Sequence, residues 1–153
     1  MVRRLTVTIL VLYALGVVAV TIFPIRVRPP GYWTGEPWWT VLRWIPGEVD
    51  APSFVLNVIM FVPLGVLLPL LRPGLDAYRR LAGVAVTASL AIEATQFVLG
   101  ITLGSRRTVD VNDLIANTAG ALAGLLILRL AVPSRRHRAA FGAGSRPSPP
   151  PPG

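Results

Sequence analysis

Four stretches of the chain are almost wholly apolar and are separated by polar segments: about 5–25, 54–71, 81–103 and 114–132. A helix rises about 1.5 Å per residue, so about 20 apolar residues cross a hydrocarbon core of about 30 Å, and each stretch reads as a membrane span. The first two hold no charge; the third holds Glu93, and the fourth holds only Arg129, in its last turns, where a long side chain can reach the interface. Arg3 and Arg4 precede the first stretch, which ends in Phe23-Pro24-Ile25-Arg26 without a small-x-small cleavage site. It therefore reads as an uncleaved span rather than a signal peptide. The pattern predicts an all-α membrane protein, four transmembrane helices in one bundle, with one membrane domain over 1–132 and a tail over 133–153.

Composition agrees. The 153 residues are 53% hydrophobic and 14% charged, against about a quarter charged in soluble domains, and the mean hydropathy is +0.62. The chain has no Cys and a single His, His137, in the polar tail. That removes thiol nucleophiles, thiolate metal sites, disulfides and the usual Ser-His and HExxH arrangements, so no metal and no cofactor is expected.

The net charge of +8 comes entirely from Arg. With the N-terminus inside, the inner segments collect Arg3, Arg4, Arg72, Arg79, Arg80, Arg135, Arg136, Arg138 and Arg146, while the outer loops keep Arg26, Arg28, Arg43, Arg106 and Arg107. This asymmetry predicts that both termini lie in the cytoplasm, and the use of Arg without Lys hints at a GC-rich bacterial genome, hence a bacterial plasma membrane. The tail (SRRHRAAFGAGSRPSPPPPG) is Arg- and Pro-rich without hydrophobic periodicity and is expected to be disordered, its arginines facing anionic lipid rather than nucleic acid.

The first outer loop contains Trp33, Trp38, Trp39 and Trp44 together with Tyr32. Thr34 can cap a short interfacial helix with Pro37 in its first turn, which would put Trp38, Val41, Leu42 and Ile45 on one face. Such a loop either anchors the spans as an aromatic belt or forms a lid over a ligand.

Polar residues within the spans carry the chemistry. Ser89, Glu93, Gln96 and Gly100 form one stripe, Asp113, Asn117, Gly120 and Gly124 a second, and Asn57, Phe61 and Gly65 a third; Pro63 can kink its span. The topology brings Asn57, Glu93, Gln96 and Asn117 into the outer half of the bundle, below the loop bearing Arg106, Arg107, Asp110 and Asp113. The inner half offers no such cluster. Amides and hydroxyls in spans commonly act as glue between helices, at about 0.6 kcal/mol each on average. An acid near a span's centre costs about 2.5 to 3.5 kcal/mol, and Glu93 must be protonated, paired with Arg107, or used. Glu93, Gln96, Arg107, Asp110, Asp113, Asn117 and Asn57 are thus the candidate ligand-binding residues, and Gly120 and Gly124 are a candidate contact between two copies.

The blocks Asn57-x-x-x-Phe61-x-Pro63-x-Gly65, Glu93-x-x-Gln96 and Arg107-x-x-Asp110-x-x-Asp113-x-x-x-Asn117-x-x-Gly120-x-x-x-Gly124 resemble the VanZ-like family of bacterial membrane proteins over about 5–132. Asn112 departs from the acid the family often carries there, which weakens any mechanism needing three carboxylates in this loop. The resemblance implies a role of the kind that lowers susceptibility to teicoplanin. Two classes of function follow. A binding module would hold a lipid-linked cell-wall intermediate or a lipoglycopeptide, with Arg107 on an anionic group and Gln96 and Asn117 supplying neutral hydrogen bonds. A small membrane enzyme would act on a lipid or sugar-phosphate head group, with Glu93 as acid or base and Asp110 and Asp113 holding a divalent cation. No nucleophile beside a base is visible, which favours the binding module. A proton-coupled transporter is a third reading, and with four spans it would have to oligomerise.

Overall fold

The computed structural model describes residues 2–23, 37–103 and 108–142. Four long helices follow the apolar stretches: α1 Val2–Ile22, α2 Ala51–Leu71, α3 Tyr78–Leu103 and α4 Val111–Ala131. All four are long and apolar enough to cross a membrane. Each begins about one turn before the apolar run that announced it, because the first turn is polar or capped. Asp50 accepts from the Ser53 N–H at 3.1 Å, with Pro52 in the first turn of α2. Asp110 accepts from the Asn112 N–H at 2.8 Å at the start of α4. These side chains satisfy amides that have no partner within the helix.

α2 and α4 run in the same direction and form the tightest pair. Gly65 of α2 lies against Ala121 and Gly124, Gly120 lies against the Val58 carbonyl, and Gly124 lies against the Val62 carbonyl. A Cβ at any of the three would strike backbone, so glycine is required by the approach of the two helices. The pair expected to join two copies instead joins two helices of one chain.

α3 packs antiparallel on α4, and its buried residues Leu81, Ala85, Ser89 and Glu93 recur every fourth position. The apolar core of Phe61, Leu81, Ala85, Ala121, Leu125 and Leu128 fills the space between α2, α3 and α4. α1 stands at the edge, with most of its large apolar side chains exposed on a face suited to lipid. It is tied to the bundle through the Tyr13 hydroxyl, which donates to the Met60 carbonyl at 2.7 Å, and through Gln96. Pro63 and Pro69 both lie inside α2, which continues through them as one helix.

Two expectations need correction. In place of an interfacial helix extending to Ile45, one 3-10 turn, Trp38–Val41, leads into a two-residue strand. That strand, β1 (Leu42–Arg43), pairs in parallel with β2 (Val109–Asp110), Leu42 beside Val109 and Arg43 beside Asp110. Pairing with the segment before α4 takes the backbone bonds that a longer helix would have needed. Thr34, Tyr32 and Trp33 lie outside the described residues. The start of the tail also departs from expectation: Arg135–Gly142 forms a helix, α5, which packs mainly against α2.

Candidate functional site

The two ends of the bundle differ in chemistry. The acid end is where α2 and α4 begin and α1 and α3 finish; the arginine end is where α2 and α4 finish and α5 docks.

At the acid end the β1–β2 pairing and Asn112 fix the loop over the helix starts. Asn112 is buried, and its Nδ2 donates to the Ile45 and Glu48 carbonyls at 3.3 Å each and to Asp110 Oδ1 at 2.8 Å. Its Oδ1 accepts from the Gly47 N–H at 2.9 Å, in a turn where Gly47 takes a φ of +96° that only glycine adopts freely. An aspartate could not donate to those carbonyls, so an amide at this position holds the loop. Sequence reasoning passed over Asn112 as a site-organising residue, although an Asp-x-Asn pair opening a helix is a capping signal.

Beneath the loop, Ser89 Oγ accepts from Asn117 Nδ2 at 2.9 Å and so sets the register of α3 against α4. One turn nearer the acid end on each helix, Glu93 then faces Asp113. Asp113 Oδ1 accepts from Asn57 Nδ2 at 2.5 Å, which ties in α2. Glu93 is 6% exposed, and its Oε2 has no hydrogen-bond partner among the described residues; the same holds for Asn117 Oδ1. None of the ion pairs among the described residues involves Glu93, Asp110 or Asp113.

Above these acids lies an open cleft of about 250 Å³ lined by Arg43, Val49, Asp50, Ser53, Phe54, Thr108, Asp110, Asn112 and Asp113. Of the expected ligand-binding residues, Asp110 and Asp113 line it, while Asn57 and Glu93 stand behind Asp113. Gln96 is not brought to it: its Nε2 donates to the Thr21 carbonyl at 2.8 Å and holds α1. Asn117 is directed at Ser89. Arg107 lies outside the described residues. Arg43, Asp50 and Ser53 were missed because each reads as ordinary loop or cap sequence, and only the strand pairing brings Arg43 to the helix starts. Among the described residues no three acidic or imidazole side chains gather as a metal site would require.

The arginine end corrects the expectation that this half carries no comparable cluster. Asp76, 5% exposed, sits between α2 and α3. Its Oδ2 accepts from Arg138 Nε at 3.0 Å and Nη2 at 2.8 Å, and its Oδ1 accepts from Arg129 Nε at 2.9 Å. Arg129 Nη2 also donates to the Asp76 carbonyl at 3.0 Å, and its guanidinium lies 4.4 Å from the centre of the Tyr78 ring. Arg138 Nη1 donates to the Val132 and Pro133 carbonyls. Burial pushes the Asp76 carboxyl up, but the hydrogen bonds and charges of Arg138 and Arg129 outweigh it and hold it below the usual carboxylate range. Arg129 therefore does not simply reach for the interface, and Arg138 belongs to the fold. The available signal was that Asp76 is the one acid among the arginines of the inner segments.

Four spanning helices with a polar, acid-rich cleft at one end define a small multi-pass membrane protein with a candidate binding site. A family model described as VanZ/LLP1 matches residues 10–132, and the chain belongs to that family. No curated protein and no solved structure matches the chain.

Proposed function

We propose that the acid end faces outward from a bacterial cytoplasmic membrane, with both termini inside, and holds an amphiphilic component of the cell envelope. Through this holding the protein contributes to glycopeptide (teicoplanin) resistance. The observation that carries the reading is the cleft between the starts of α2 and α4, where Arg43 stands with Asp50, Asp110 and Asp113. A polar head group bearing hydrogen-bond donors and acceptors suits such a surface. Trp39, Trp44 and Ile45 are exposed beside it and offer an apolar path for an acyl chain. The arginine asymmetry along the chain supports the orientation. The bound species would be a lipid-linked cell-wall intermediate or a lipoglycopeptide.

The test is teicoplanin susceptibility of a Gram-positive host lacking its own copy, expressing the wild type, Glu93→Gln or Asp113→Asn at matched membrane levels. Protection by the wild type that both variants lose supports role and site together. Protection by all three detaches the role from these acids, and no protection by the wild type removes the resistance role. Glu93 Oε2, without a partner among the described residues, favours one second reading, a membrane enzyme using Glu93 as acid or base on a head group. Release of a head group from labelled envelope lipid by the purified wild type, but not by Glu93→Gln, would select it.

A further inference from the structure

The acids at the acid end are of two kinds. Asp50 and Asp110 accept from the first amides of α2 and α4, and capping explains them. Capping does not explain Glu93 and Asp113. They face each other across α3 and α4 and take part in no ion pair among the described residues, and two facing carboxylates cannot both hold charge cheaply. The second observation is independent of charge. Glu93 Oε2, on a residue 94% buried, is an acceptor without a donor among the described residues, and a buried acceptor left unpaired costs about 1 to 3 kcal/mol. The protein thus presents acceptors and negative charge behind a cleft whose floor includes Asp110 and Asp113. Among the described residues the cleft sets one cation, Arg43, against the three acids Asp50, Asp110 and Asp113, so a further group that carries positive charge and several N–H donors would complement it.

We infer that the acid end recognises a protonated primary amine on the amphiphile it holds, through Asp113 and Asp110 at the cleft with Glu93 behind Asp113. A primary ammonium has three donors and no acceptor, which suits the carboxylates of Asp110 and Asp113 on the cleft. A divalent cation needs several oxygens converging at short range, and no group of three acids among the described residues does so. Arg43 on the same cleft suits the phosphodiester that neighbours an amine in a zwitterionic head group. The inference rests on the reading that the acid end holds an amphiphile, and it adds the chemical feature that is selected.

The test uses the full chain purified in maltoside micelles and titrated with phosphatidylethanolamine and phosphatidylcholine of identical acyl chains, with lipid retention read by native mass spectrometry. The two lipids share charge, phosphate and tails, and differ in whether the nitrogen carries N–H donors. Phosphatidylethanolamine is expected to bind about tenfold more tightly, the scale set by one or two charge-assisted hydrogen bonds. Asp113→Asn and Glu93→Gln should each erase most of that preference, whereas Arg79→Gln at the arginine end should keep it. Asp113→Asn retains the oxygen that accepts from Asn57, and an unchanged melting temperature would show that fold loss is not the cause. Free ethanolamine that displaces the lipid would make the ammonium itself the recognised group; displacement only by whole lipid would make the membrane its source. Both results support the amine. Equal binding of the two lipids overturns the amine inference and leaves the amphiphile reading standing, and retention of neither lipid overturns both.

Discussion

Each end of the bundle buries a carboxylate, and the two are treated in opposite ways. Asp76 is met by Arg129 and Arg138, and both its oxygens and its backbone carbonyl accept hydrogen bonds. Glu93 has an oxygen with no partner among the described residues, faces Asp113, and lies behind an open cleft. A saturated ion pair resists change, because removing either partner strands the other in a poor solvent for charge. An unsaturated cluster stores cost that a proton, water or ligand can relieve, which is where binding energy is found. The comparison teaches that burial of an acid does not by itself mark function; the state of its partners does.

The same acid-to-amide change should therefore have opposite consequences at the two ends. Asp76→Asn leaves Arg138 buried without its counter-charge and should cost about 3 to 5 kcal/mol, read as a large drop in melting temperature in detergent. Gly120→Leu tests the joint that fixes the distance between α2 and α4. Its Cβ meets the Val58 backbone, which cannot swing aside, so a loss of about 3 kcal/mol, the upper part of the range for overpacking, is expected. Asn112→Asp removes the donors to the Ile45 and Glu48 carbonyls and sets a second carboxylate against Asp110. A loss of about 2 kcal/mol and faster proteolysis between residues 44 and 50 should follow. Glu93→Gln should be neutral or stabilising by about 1 kcal/mol, because it removes a buried group that can be charged and whose Oε2 has no partner among the described residues. Equal losses for Asp76→Asn and Glu93→Gln would abolish the contrast between the ends.

Acidity sharpens the same contrast. The Asp76 carboxyl titrates below its ordinary value of 3.8, so the charged form favours the folded state. Its contribution is present above that ordinary value and is lost as pH falls through the lower folded value. Melting followed from pH 6 to pH 2 should show a loss of stability below about pH 4 that is absent from Asp76→Asn.

Much of the fold was legible because a bilayer constrains sequence severely. The four spans follow from length and hydropathy alone, and the stripe through Ser89 and Glu93 follows from helical spacing. Starts were misjudged by about a turn, since Asp50-Ala51-Pro52-Ser53 and Asp110-Val111-Asn112-Asp113 are polar capping sequence that a hydropathy profile excludes from the span. Gln96 and Asn117 were legible as buried polar residues but not as to partner. A span interior offers several acceptors within a turn, and only the packing of α1 on α3 selects the Thr21 carbonyl for Gln96.

By itself, the sequence determined that the chain makes four helices able to cross a membrane, that Glu93 faces protein rather than lipid, and which motifs it shares with its family. Those are consequences of apolar length, helical period and the cost of burying charge, all of which are local. Only the tertiary structure decided that Gly120 and Gly124 join α4 to α2, that Asn112 holds the loop over the helix starts, that Arg43 comes to the cleft, and that Asp76 collects Arg129 and Arg138 from 53 and 62 residues away. Each of these depends on the register between distant segments, and register is set by how closely backbones can approach and which donors then meet acceptors.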